Sequence, residues 1–176
     1  MKEWSVEGVG KTVLRTPKWE DLDDLLELIN SLVDEGAEVV VNEKVSRGEE
    51  IDWLSKLLAR LETGETFFLV AEVNGRIISS SDINRQHGSQ SHVGIVGIVI
   101  EKNFRGFGIG TAIMRVLIEQ ASRMGMKVLT LSVYASNKRA IHVYRKVGFV
   151  RTGLIPKKFL KQGKYVDEVI MTKVLE

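Results

Sequence analysis

The chain has 176 residues, 44% of them hydrophobic and 27% charged. These are the proportions of one globular domain with its own core, expected to span residues 1–176. Its 25 Lys and Arg against 23 Asp and Glu leave a net charge of +2, too balanced to mark a nucleic-acid binder or an anionic-membrane binder. Cysteine is absent, which excludes a disulfide framework, a thiol nucleophile and a Cys-based metal site. No apolar run reaches membrane-spanning length and the N-terminus has no apolar segment, so a cytoplasmic protein is expected.

The first strand is expected at VLRT (13–16), with Thr16 as a helix cap and Pro17 at the first helical position. Leu22, Leu25, Leu26, Ile29, Leu32 and Val33 then recur at helical spacing. Residues 37–48 carry no clear pattern. Ile51, Leu54, Leu57, Leu58 and Leu61 give a second amphipathic helix, closed by Gly64. TFFLVAEV (66–73) and RIISSSDI (76–83) read as strands joined by a tight turn at Asn74-Gly75. HVGIVGIVI (92–100) is a buried strand in which Gly94 and Gly97 mark a bulge or a close backbone approach. A helix follows from Thr111, carrying Ile113, Met114, Val116, Leu117 and Ala121. Next come a strand over 127–135, a helix capped by Asn137, and two terminal strands separated by a polar loop at KQGK. The sum is a mixed α/β (α+β) fold: about four helices on a mostly antiparallel central sheet of about seven strands.

Between the buried strand and the third helix lies RGFGIG (105–110). Three glycines in five positions are costly in chain entropy, so the backbone there needs shapes or approaches that side chains forbid. A strand, then glycines, then a helix start is suited to gripping a phosphate, because first-turn amides have no internal partners and the helix dipole is positive there. Two phosphate motifs fail on detail. The dinucleotide fingerprint G-x-G-x-x-G meets Thr111 at its last position, and Gly110 is not followed by the Lys of a Walker A loop.

What fits is R-x-x-G-x-G: Arg105, Gly108, Gly110. A second pattern, N-x-x-A-I-x-x-Y-x-x-x-G-F, follows at Asn137, Ala140, Ile141, Tyr144, Gly148 and Phe149. With these two signatures in this order, the chain resembles the GNAT superfamily of acetyl-CoA-dependent N-acetyltransferases over nearly its whole length. The resemblance implies that the pyrophosphate of coenzyme A sits on the backbone of Arg105, Gly106, Phe107, Gly108, Ile109 and Gly110, with Thr111 close. It implies that Ile98, Val99 and Ile100 pair their main chain with the pantetheine arm, and that Asn137 contacts the cofactor while also suiting a helix cap. Tyr144 matches the family's general acid. A phenol stays protonated at neutral pH and can protonate the departing thiolate.

The general base is less plain. Ribosomal-protein alanine acetyltransferases carry a Glu five residues ahead of the Asn, where this chain has Ser132. His92 is the base expected in its place, with Glu101 and Asp82 as others. In this family the first two helices, their loop and the terminal hairpin form the acceptor site. Tyr165 and Asp167 are the expected acceptor-binding residues. Asp34, Glu35, Glu38, Glu43, Glu49 and Glu50 favour a cationic amine or form a solvated surface, whereas Lys157, Lys158, Lys161 and Lys164 favour a carboxylate-bearing one. The expected acceptor is a small amine or amino acid. A protein N-terminus or lysine is the alternative, and a non-catalytic acetyl-CoA-binding module the further one. No metal is expected, since His87 and His142 are far apart and show no metal spacing. This fold often forms homodimers through its terminal strands or sheet edge.

Overall fold

The computed structural model describes residues 2–176. Its strands are β1 (Lys2–Val6), β2 (Gly10–Arg15), β3 (Thr66–Val73), β4 (Arg76–Arg85), β5 (Val93–Ile100), β6 (Val128–Tyr134), β7 (Val150–Lys161) and β8 (Lys164–Val174). Its helices are α1 (Leu22–Asp34), α2 (Arg47–Thr63), α3 (Ile109–Arg123) and α4 (Lys138–Lys146). Hydrogen-bonded neighbours follow the order β1-β2-β3-β4-β5-β6-β8-β7. The expected mixed fold is present with one strand more than anticipated. The chain forms two compact units: residues up to Asn84 with Gly97–Gly110, and Arg85–Val96 with Thr111–Glu176.

In the first unit β1 through β4 run antiparallel. The added strand is β1, paired from Lys2↔Leu14 to Val6↔Gly10. Its sequence KEWSV is too polar to announce a strand, and the pairing with β2 makes it one. Asn74 (φ 52°) and Gly75 (φ 79°) form the expected tight turn, whose twist matches the strands it joins. The core sets Leu22, Leu25 and Leu28 of α1 and Leu54 and Leu57 of α2 with Phe68, Val70 and Ile77.

The start of α1 corrects the expectation at Thr16-Pro17. The helix begins at Leu22, after a short 3-10 turn at Trp19–Asp21. Arg15 grips both oxygens of the buried Asp21 carboxylate at 2.7 and 2.8 Å, and Asp21 accepts the Lys18 amide at 2.8 Å. That charged grip outweighs the weaker hydroxyl cap. In the unpatterned stretch 37–48, the Asn30 side chain receives the Val45 N–H (2.8 Å) and donates to the Val45 carbonyl (3.0 Å). Ser46 then opens α2 with a reciprocal capping box to Glu49.

In the second unit β6 runs parallel to the first half of β5 and antiparallel to β8. Strands β7 and β8 form a long hairpin closed at Gln162-Gly163. The buried side chains include Ile113, Met114 and Leu117 of α3, Leu129 and Leu131 of β6, Phe149 and Met171. No helix among the described residues is long and apolar enough to cross a membrane.

Candidate functional site

In the first unit, β5 ends where the glycine loop begins. The Ser79 hydroxyl donates to the Val99 carbonyl at 2.6 Å, and the Glu101 amide donates to the Ile78 carbonyl at 2.9 Å. The three glycines are there for two reasons. Gly106 (φ 96°) and Gly108 (φ 80°) hold backbone shapes that favour glycine, and a Cβ on either would meet nothing within 4 Å. Gly110 is helical, and its Cβ would lie 3.2 Å from Cδ1 of Ile100. The loop therefore combines two positive-φ turns facing open space with one close approach. It leads directly into α3, whose first amides lack intrahelical partners. The Arg105 side chain is engaged within the fold. Its Nε donates to the Ile100 carbonyl at 2.8 Å and its guanidinium pairs with Glu35. Its charge is thus neutralised, and it ties the loop to the strand end and to Glu35, the C-cap of α1. Phe107 is exposed.

In the second unit, Asn137 caps α4 by accepting the Ala140 amide at 3.0 Å. Its amide NH2 is not used in that bond. Tyr144, on the same helix, is buried beside the Phe149 ring. Its hydroxyl makes no hydrogen bond to a described residue, and desolvation pushes its pKa up to about 12. Ser132 is not isolated. It donates to Glu168, a buried carboxylate on β8 that the sequence reading passed over. The clue was a charge inside the otherwise strand-like YVDEVIM.

The remaining expected residues divide. His92 is exposed ahead of β5, its carbonyl taking the Lys127 and Val128 amides. Ile98, Val99 and Ile100 occupy the other end of that strand, so the structure does not bring His92 to them. Asp167 receives the Lys157 amide at 2.9 Å, stabilising an irregular turn in β7 where Lys157 has φ 55°. Tyr165 is exposed, with the Lys157 ammonium 6.0 Å from its ring centre. Glu101 is buried and ion-paired to Arg76 at 3.2 Å. Asp82 lies against Gly97, where a Cβ would come within 2.5 Å of its carboxylate. This is the close approach expected of that glycine. Burial pushes the Asp82 carboxyl up to about 6, against the opposing effects of the Asn84 amide and Arg60.

One pocket of about 300 Å³ lies wholly in the first unit. Leu25, Leu28 and Ile29 of α1, Val41 and Val45 of the following loop, Trp53 of α2 and Val99 of β5 supply its apolar lining. Ser80, Glu49 and Glu50 are its polar members. The acidic segment expected here has divided: Asp34 pairs with Lys44 at 3.0 Å, Glu35 with Arg105, and Glu49 with Ser46. Glu50 is 5% exposed; its amide donates to the Ser46 carbonyl at 3.1 Å, while its carboxyl has no hydrogen-bond or ion-pair partner among the described residues. Burial raises its carboxyl to about 7. No group of three or more metal-ligating side chains occurs among the described residues.

Residues 22–149 match the model of the Acetyltransferase (GNAT) family. The chain is similar to the L-amino acid N-acetyltransferase AaaT of Escherichia coli (strain K12), 33% identical over 108 residues, or 60% of this chain and 67% of that protein. In structure it is similar to the ribosomal-protein-alanine N-acetyltransferase of Brucella melitensis. There the TM-score is 0.82 at 27% identity, over 93% of this chain and 99% of that one. It is also similar to yncA of Salmonella typhimurium, solved with its cofactor acetyl-CoA, at a TM-score of 0.82 and 22% identity over 94% of each chain. The family match covers most of the chain, including the glycine loop and the Asn137–Phe149 segment, so the chain belongs to the GNAT acetyltransferase family and is an acyltransferase.

Proposed function

We propose that this protein moves the acetyl group of acetyl-CoA to the primary amine of a small molecule by direct attack. One observation carries the reading: the loop in which Gly106 and Gly108 turn through positive φ beside open space and lead into α3. That is a cradle for a phosphate, and a side chain at either glycine would fill it. The backbone of Arg105 to Gly110, with Thr111, holds the pyrophosphate. Ile98, Val99 and Ile100 pair with the pantetheine arm, and the unused amide of Asn137 supplies a further contact.

The acceptor ammonium gives up one proton and the free amine attacks the thioester carbonyl carbon. A C–N bond forms, the C–S bond breaks, and the thiolate takes a proton from the Tyr144 hydroxyl. The tyrosine recovers it from the amide nitrogen through solvent, so one proton is released overall. The raised pKa of Tyr144 keeps its proton in place at every working pH. His92 has no part in this scheme, since it lies beyond the opposite end of β5 from Val99.

A small acceptor is supported by the name of the Escherichia coli relative, an L-amino acid N-acetyltransferase. The likeness to a ribosomal-protein-alanine N-acetyltransferase favours the alternative, a protein N-terminus. Because the chain has no cysteine, a thiol-reactive dye reads released coenzyme A without background. Acetyl-CoA binding by calorimetry, followed by dye release with a panel of small amines, amino acids and N-terminal peptides, tests the reading. Binding with turnover on a small amine supports it, turnover on peptides alone moves it to the protein-directed alternative, and absence of binding overturns it.

A further inference from the structure

The pocket between α1, α2, Ser80 and Val99 is not claimed by any residue of the acetyl-CoA scheme except Val99. Its composition is selective. Apart from Glu50, the polar groups are Ser80 and a Glu49 carboxylate already engaged by the Ser46 amide and hydroxyl. No lining residue is cationic. A buried carboxylate without a partner is costly, and a cation that enters beside it relieves that cost. A carboxylate entering the same space would meet acidic groups with nothing to neutralise it.

We infer that this pocket is the acceptor site, that its occupant is a primary amine with an apolar side chain and no carboxylate, and that Glu50 receives the ammonium and takes its proton. This rests on the acetyl-transfer reading above and names the substrate class for it. The apolar group packs on Leu25, Leu28, Val45 and Trp53, with the Trp53 ring available to the cation. Val99 lines the pocket while belonging to the strand assigned to the pantetheine arm, which brings amine and thioester to one place. Proton transfer is from R–NH3⁺ to the Glu50 carboxylate, leaving R–NH2 and a carboxylic acid that later loses its proton to water. Burial sets Glu50 near neutrality, where a base can both accept and release a proton. Asn30 positions this site without touching its occupant, by holding both the N–H and the carbonyl of Val45.

The test compares phenethylamine, L-phenylalaninamide, L-phenylalanine and spermidine, by dye-detected turnover and by calorimetric binding. The expected order places phenethylamine and the amide at least about 10-fold above the free amino acid and spermidine, the range that one mismatched polar group commands. Glu50→Gln is expected to lower kcat/KM for phenethylamine by about 100-fold, as loss of a general base does, with acetyl-CoA affinity unchanged. Val41→Trp, at the exposed rim, is expected to weaken phenethylamine while sparing acetyl-CoA. Equal use of phenylalanine and its amide, preference for spermidine, or a Glu50→Gln enzyme with full kcat/KM overturns the inference and leaves the acetyltransferase reading intact. Failure to bind acetyl-CoA overturns both.

Discussion

The two compact units both engage many of their polar groups, and they differ in what they leave unengaged. In the second, Asn137 caps α4, Ser132 bonds to Glu168, and Asp167 holds the Lys157 amide. The Tyr144 side chain stands apart from these, its ring buried and its hydroxyl without a hydrogen bond to a described residue. In the first unit the glycine loop faces open space and the Glu50 carboxyl lines a pocket with no partner. Groups engaged within the fold hold shape. Groups left unengaged at a cost in stability are the ones that await something from solution.

Filling the open space of the first unit is therefore expected to do the greatest damage. Gly108→Val is expected to weaken acetyl-CoA by about 100-fold or more, because Val removes the cradle and resists φ 80°. Calorimetry on a variant whose circular dichroism is unchanged decides it. Native affinity there would remove the loop from cofactor binding. Gly108→Ala, strained by only about 1 kcal/mol, provides a milder version. Next comes Tyr144→Phe, expected to lower kcat by about 100-fold with acetyl-CoA affinity nearly unchanged. Wild-type activity should show no alkaline loss from this phenol below pH 10, since its pKa lies near 12. Full turnover by the Phe variant would place Tyr144 with the structural groups.

What the sequence made legible was local. The Asn74-Gly75 turn, the glycine loop and the Asn137 cap are each written within a few adjacent residues, and each is found where expected. What stayed hidden depends on partners far apart in the chain. Glu168 reaches Ser132 across 36 positions, and Glu35 neutralises Arg105 across 70. Asn30 shapes the pocket loop from 15 residues away. The pocket itself draws on α1, the loop, α2, β4 and β5, and no single stretch carries a trace of it. Glu50 read as one of several surface acids because its burial is created by those other segments.

A smaller effect separates Glu50 from the acids around it. Its carboxyl holds its proton more tightly in the folded protein, near 7, than in the unfolded chain, near 4.5. Between those values the native state binds more protons, so its contribution to stability is complete below about pH 4.5 and is lost as pH rises through 7. Glu50→Gln cannot become charged. It should therefore gain about 1–2 kcal/mol over wild type at pH 8, less than the full shift converts to because the group lines a pocket open to water. Denaturant melts at pH 5 and pH 8 measure it. A variant no more stable than wild type at pH 8 would show that Glu50 has a partner in solution.

The smallest expected effect divides the two duties assigned to Asn137. Its side-chain oxygen accepts the Ala140 amide, while its NH2 group is the part assigned to acetyl-CoA. Asn137→Ala removes both and should cost about 1 kcal/mol of stability, the usual worth of such a cap, together with a few-fold loss of acetyl-CoA affinity. Asn137→Asp keeps the acceptor and favours the helix dipole, but puts a second acceptor where the donor stood. It should hold or slightly raise stability while lowering acetyl-CoA affinity as much as Ala does. Stability and affinity that move together in both variants would mean that Asn137 only caps α4. It would then join Ser132 and Asp167 among the groups of the second unit that are engaged within the fold.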